Sequence, residues 1–220
     1  MNKFLNSTAL AAGLAILGFA GAANAATVVT IDSETVYNGS NDAPIFGTVA
    51  PTYPTTGNFQ LAISGDALPN ARSPYELNTV GADTPYSVLS YGGDSGSSAT
   101  YDLNNSTSFE ILWGSPDTYN YATFYDGLGG TGNVIGTFSG ASLVCYPSTC
   151  NRLAWDDVVF KSTGGGIGSV VLSDSGTAAF EYGLNPASIV NPTPLPAAAW
   201  LFGTVIAGAA GAARLRRRKA

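Results

Sequence analysis

Along the middle of this chain, apolar residues recur at every second position in short runs. Each run is cut off by glycine, serine, asparagine or proline. Phe59, Leu61 and Ile63 form one such run, and Phe109, Ile111 and Trp113 another. A period of two is the pleat of a strand with one buried face. No stretch between the two chain ends shows the 3.6-residue period of an amphipathic helix. The runs predict strands at Thr27–Val36, with Val29, Ile31 and Val36 facing inward, and at Asn58–Ser64, with Phe59, Leu61 and Ile63 on one face. Further strands are expected at Tyr86–Tyr91, Ser98–Leu103, Ser108–Trp113, Tyr119–Tyr125, Val134–Phe138, Trp155–Lys161, Ile167–Leu172 and Ala178–Tyr182. Ser98–Leu103 and Ser108–Trp113, separated by Asn104–Thr107, read as a hairpin. Asn38–Pro54 and Gly65–Pro85, rich in turn formers, read as irregular connections. So many short strands without a helix predict an all-β fold. The expected architecture is an antiparallel β-sandwich of jelly-roll type, with a barrel as its main rival.

The two ends are of another kind. Met1–Ala25 carries Lys3, then an uncharged stretch over Leu10–Ala20, then Ala23-Asn24-Ala25. That order is a secretory signal with a small-residue cleavage site, and a mature start at Ala26 is expected. At the other end Pro192, Pro194 and Pro196 fix φ and remove backbone donors, which favours an extended approach. Ala197–Ala213 follows without a charge, with Thr204 its one weakly polar side chain. At ~1.5 Å per residue it would span about 25 Å as a helix, short but sufficient for a single transmembrane segment. Arg214, Arg216, Arg217, Arg218 and Lys219 close it. Cations beside an apolar run stay on the cytoplasmic side, so the body of the chain is expected outside. The predicted organisation is a signal peptide over 1–25, a β-sandwich ectodomain over 26–190 and a sorting segment over 191–220. The middle, about 165 residues, is the size of one domain with a real core.

The order of the tail resembles the PEP-CTERM sorting signal of exosortase substrates, in the variant where V-P-L-P-A replaces P-E-P. The matching residues are Thr193, Pro194, Leu195, Pro196 and Ala197, then Ala198, Ala199, Trp200, Leu201, Phe202 and Gly203. Thr193 stands where the variant has valine, and Leu195 where the main form has glutamate. The resemblance implies cleavage near the proline motif by an exosortase-type membrane transpeptidase. Pro194, Leu195, Pro196 and Ala197 would be the recognised residues, and the five cations the cytoplasmic stop. Transfer to the cell surface or extracellular space would follow. The stretch Trp113–Asn120 with Phe124–Gly127, and the strands Asp156–Phe160 and Ala179–Tyr182, resemble segments of exosortase-dependent surface proteins. Gly183-Leu184 stands where that group often has Asp-Asn. This likeness implies a surface β domain and no particular reaction.

Charge sharpens the reading. Lys3 and the five tail cations lie in the terminal segments, so the middle keeps Arg72, Arg152 and Lys161 against all fifteen acids, a net −12. Such a body repels nucleic acid and anionic lipid. It suits calcium, cationic partners or neutral glycans. The chain has no histidine, which removes Ser-His-Asp and Cys-His catalysis and imidazole-based zinc or iron sites. Cys145 and Cys150 are the two cysteines. In an exported chain they are expected to form one disulfide closing a short loop, the alternative being two buried thiols.

Three kinds of site are then weighed. Asp156 and Asp157, adjacent on a strand, point to opposite faces and cannot act as one catalytic pair. Glu110, Asp117 and Glu181 could converge only through folding. Calcium would draw on turn aspartates such as Asp42, Asp66, Asp94 and Asp117, whose simpler role is solvation, and no EF-hand loop is present. Tyr119, Tyr121 and Tyr125, with Trp113, could form a stacking platform for sugar rings, unless they serve cross-strand packing. The expected function is that of an exported, non-enzymatic cell-surface or extracellular-matrix protein. It would need no cofactor and have no nucleic-acid partner. The alternative is a carbohydrate-binding module acting in extracellular polysaccharide or biofilm.

Overall fold

The computed structural model describes residues 26–37, 43–63, 71–75, 81, 83–93, 96–114, 116–143, 155–176 and 178–189. Ten strands follow in chain order: β1 (Val28–Tyr37), β2 (Phe59–Ile63), β3 (Tyr86–Leu89), β4 (Ser97–Ser106), β5 (Ser108–Gly114), β6 (Asn120–Tyr125), β7 (Val134–Ser139), β8 (Trp155–Thr163), β9 (Ile167–Asp174) and β10 (Phe180–Leu184). Single 3-10 turns at Gly140–Ser142 and Pro186–Ser188 complete the regular structure among the described residues. The strands form a six-stranded sheet, β1-β8-β5-β10-β3-β2, and a four-stranded sheet, β4-β9-β6-β7. All pairings are antiparallel. The all-β prediction holds, and the two sheets are separate, as a sandwich requires.

Alternation explains which side chains meet. Phe109, Ile111 and Trp113 of β5 face inward as their spacing predicted, beside Val158 and Phe160 of β8 and Phe180, Tyr182 and Leu184 of β10. Opposite them stand Ala99, Tyr101 and Leu103 of β4, Ala122 and Phe124 of β6, and Val170 and Leu172 of β9. Four phenylalanines link the sheets. Phe160 lies 4.9 Å from both Phe124 and Phe138 and 6.4 Å from Phe109, centroid to centroid. Burying a side chain of this size contributes about 1.5–3 kcal/mol. A second bond between the sheets joins the hydroxyls of Tyr101 and Tyr182 at 2.9 Å.

The larger sheet also buries part of its outer face. Leu112 and Trp155, out of phase with the inner residues, join Phe46, Ile63, Tyr75, Tyr86 and Val88 in a second cluster. Tyr75 anchors it by donating its hydroxyl to the Phe46 carbonyl at 2.7 Å. Trp155 lies flat on Gly114. A Cβ placed there would fall 1.7 Å from the indole ring, so this site in β5 excludes every larger residue unless the ring moves.

Two expectations are corrected. β4 and β5 are not a hairpin: β4 pairs with β9, and β5 pairs with β8 and β10. Asn104 and Asn105, at φ 49 and 65, instead form the irregularity within β4, which pairs with β9 again at Ser106, and the chain passes to the other sheet at Thr107. Asparagine tolerates this left-handed backbone better than other non-glycine residues. Nor do Phe59 and Ile63 share a face. Phe59 packs on the inter-sheet core and Ile63 in the outer cluster. A register irregularity between Gln60 and Ile63 breaks the alternation, as a bulge does. The signal segment, the Cys145–Cys150 loop and the tail with its proline motif, apolar run and basic cluster lie outside the described residues. Among those described, no helix is long and apolar enough to cross a membrane.

Candidate functional site

The outer face of the four-stranded sheet carries the predicted tyrosines. Tyr121, Thr123 and Tyr125 alternate with the core residues Ala122 and Phe124, so they point away from the partner sheet. Tyr121 pairs across with Ser173 and Ser139, and Thr123 with Val171 and Thr137. Ser98 and Thr100 of β4 continue these two rows, opposite Ser173 and Val171. The open part of the face is thus mostly hydroxyl-bearing, with Val171 among the serine, threonine and tyrosine side chains and no ionised group among these residues. Tyr121 and Tyr125 are half-buried and stand about 14 Å apart along the strand, at ~3.4 Å per residue.

The face is roofed at one end by the turn between β6 and β7. Gly129 N–H donates to Asp102 Oδ1 at 2.8 Å, and Gly130 N–H donates to Ser169 Oγ at 2.9 Å. Ser169 in turn donates to the Gly127 carbonyl at 2.6 Å. The segment around Thr52–Thr56 runs along the β4 edge. Thr52 N–H donates to the Thr100 carbonyl at 2.8 Å, and Thr56 and Ser98 exchange bonds at 3.1 and 3.0 Å. This covers an edge that would otherwise invite pairing. It also brings in Tyr53, whose hydroxyl donates to Asp102 Oδ2 at 3.0 Å while its side chain stays exposed. Tyr53 was missed in the sequence, because it sits between Pro51 and Pro54 with no periodicity around it.

The other predicted stackers go elsewhere. Tyr119 precedes β6. Its hydroxyl donates to Asp117 Oδ2 at 2.7 Å and its ring packs under Gly176. Burial, then the bond to Asp117, holds its pKa well above the ordinary tyrosine value. Trp113 is fully buried, against Phe180 at 5.0 Å, and serves the core.

The acidic candidates do not form one site. Glu110 stands on the outer face of the larger sheet, where Asn185 Nδ2 donates to its carboxylate. Asp157 lies diagonal to it across the β5–β8 pair, pushed up to about 6 by burial and by the Glu110 charge. Asp156 points to the opposite face, wholly buried, as adjacent strand positions must. Glu181 is buried beneath the 71–75 segment and accepts from Arg72 N–H at 2.9 Å. Burial pushes it up to about 8, with Asp117 and Asp174 adding to the rise. Asp42, Asp66 and Asp94 lie outside the described residues, and Asp117 is engaged by Tyr119. Among the described residues, no three Asp, Glu, His or Cys side chains gather as a metal cage.

No family model, no curated protein and no solved structure matches the chain.

Proposed function

We propose that this chain is an exported, non-enzymatic cell-surface or extracellular-matrix protein of PEP-CTERM type, cut by an exosortase-like membrane transpeptidase at its C-terminal signal. The reading rests on the order of proline motif, apolar run and basic cluster over residues 192–219. One observation supports it from the folded side. After β10 the chain makes the Pro186–Ser188 turn, and Ile189 packs into the core. In the sequence the motif Thr193–Ala197 begins only a few positions after Ile189, the last core side chain among the described residues. The signal peptide, the transmembrane helix and the cytoplasmic Arg214–Lys219 cluster belong to the same proposal. The finer fold reading, a jelly roll, is supported by the strand order. β3-β10-β5-β8 faces β4-β9-β6-β7, and β1 and β2 extend the two edges of the larger sheet.

Changing Pro194 and Pro196 together to alanine should leave the domain's circular dichroism and melting temperature unchanged, because both stand in the proposed sorting segment and outside every described strand. The released, tail-less form should be lost from the surface and medium, with full-length precursor accumulating in the membrane. Mass spectrometry of the exported protein reads this directly. Release of the mutant in the same amount, cut at the same bond, would defeat the sorting proposal.

The hydroxyl face with Tyr121 and Tyr125 favours a second reading, a module that binds neutral polysaccharide. Stacked rings are worth about 0.5–1.5 kcal/mol each. Tyr121→Ala and Tyr125→Ala should therefore each weaken glycan binding by roughly fivefold, with little effect on stability. Affinity electrophoresis in neutral polysaccharide gels would show it, and migration unaffected by any such glycan would end this reading.

A further inference from the structure

At one end of the sandwich, where β4, β6 and β10 begin and β3, β5 and β9 finish, the space between the sheets is lined by polar side chains. Ser97, Asp174 and Asn120 stand directly opposite one another on β4, β9 and β6. Two residues along, the same three strands place Ala99, Leu172 and Ala122 in the core. Side chains alternate, so the polar row faces the same inter-sheet space. None of the three is more than 1% exposed. Ser90 enters from the facing sheet just past β3, fully buried and held at φ 57 in the left-handed region. Strained backbone of this kind persists only where the surroundings over-determine it, and such residues cluster at functional sites. The Ser90 hydroxyl lies beside the Asp174 carboxylate, yet no hydrogen bond of normal geometry joins them.

The hydrogen bonding of this layer is incomplete. Gly176 N–H donates to Asp174 Oδ1 at 2.6 Å. Asp174 Oδ2, Asn120 Oδ1, Ser90 Oγ and Ser97 Oγ have no hydrogen-bond partner. One such buried orphan costs about 1–3 kcal/mol, and a charged one more. Ser90 Oγ and Asp174 Oδ2 have at most one another, while Asn120 Oδ1 and Ser97 Oγ have no partner, so the layer is short of hydrogen bonds. Buried anions persist where they are paired or coordinate a metal.

We propose that this layer is a divalent-cation site of the calcium class. Asp174 Oδ2 supplies the charge, and Asn120 Oδ1, Ser90 Oγ and Ser97 Oγ supply neutral oxygens. All four donors are hard oxygens, which suit calcium and not zinc or copper. Asn120 Nδ2 and Trp113 Nε1, orphan donors in the same region, would be satisfied by water around the ion. Calcium affinity follows ligand charge. A single carboxylate places this site in the weak range of extracellular modules, ~10⁻⁴ to 10⁻³ M. The site differs from the turn aspartates that the sequence suggested, and it does not depend on the sorting or glycan readings.

Terbium(III) and calcium titrations of the full chain in mild detergent test it. Terbium emission sensitised by Trp113 should appear and be displaced by calcium. Calcium at ten times its Kd should raise the melting temperature over that in EDTA by about 3–6 °C. Asp174→Asn keeps the Gly176 bond and should remove both signals. Trp113→Phe should weaken the emission and keep the calcium-dependent shift, since nearby tyrosines such as Tyr119 still transfer energy. Asn120→Asp adds a second carboxylate and should tighten calcium binding by about tenfold. Two results would overturn the proposal. One is an identical melting temperature in calcium and EDTA with no displaceable emission, which leaves ordered water in the layer. The other is an Asn120→Asp variant that is destabilised equally with and without calcium and binds no tighter. These two measurements decide the matter even if Asp174→Asn fails to fold.

Discussion

Phe160→Ala should destabilise the domain by about 3–5 kcal/mol, the range for removing a large aromatic from a packed core. Phe160 has no exposed surface and its ring meets Phe109 from its own sheet and Phe124 and Phe138 from the other. Truncation removes the transfer energy of one ring and leaves a cavity bounded by three others. Those three are attached to two different sheets, so they cannot collapse inward without sliding the sheets together. A domain of this size has about 5–15 kcal/mol in total, so the loss is a large share of it. Phe160→Leu, which keeps most of the volume, should cost far less, on the order of 1–1.5 kcal/mol. Urea unfolding followed by tryptophan fluorescence reads both, with an unchanged m-value showing that the denatured state is the same. A loss below about 1 kcal/mol for the alanine variant would mean that the ring cluster does not hold the sheets together.

Glu181→Gln should flatten the pH dependence of stability between about pH 6 and 8. The folded carboxyl is pushed up to about 8, mainly by burial, whereas in the unfolded chain it titrates near 4.5. Between those values the native state binds more protons than the unfolded state, so stability falls as pH rises. The stability linked to the neutral acid is fully present below the unfolded value and lost by the time pH passes the folded one. Asp157 and Asp174 shift in the same direction and keep their share in the variant. The difference between the two proteins over the window from 6 to 8 therefore isolates Glu181. At up to ~1.4 kcal/mol per pH unit, the wild type should lose about 2–3 kcal/mol across it. Glutamine keeps an oxygen to accept from Arg72 N–H and cannot ionise, so the variant should match the wild type near pH 5 and exceed it at pH 8. Parallel curves for the two proteins from pH 6 to 8 would show that Glu181 is not ionising in the fold.

Local chemistry alone makes several features of this protein legible. The order of proline motif, apolar run and basic cluster is visible without a fold, because the proposed sorting role would depend on local sequence order and not on tertiary contacts. The alternating faces of β5 and β6 were legible as well, since the pleat gives every second side chain the same environment wherever the strand ends up. For the same reason Tyr121 and Tyr125 could be assigned to one outward face. Pairing was a different matter. Residues 104–107 look like a hairpin turn by composition, and only the competition between β9 and β5 for β4 decided that the chain crosses to the other sheet there. The irregularity in β2 that separates Phe59 from Ile63 likewise depends on its partner β3. The polar layer was the least legible of all. Ser90, Ser97, Asn120 and Asp174 sit at strand ends, where such residues ordinarily form solvated turns. They become one buried site only because three strands distant in the chain align in register and a second sheet closes over them, and register is a property of the whole fold.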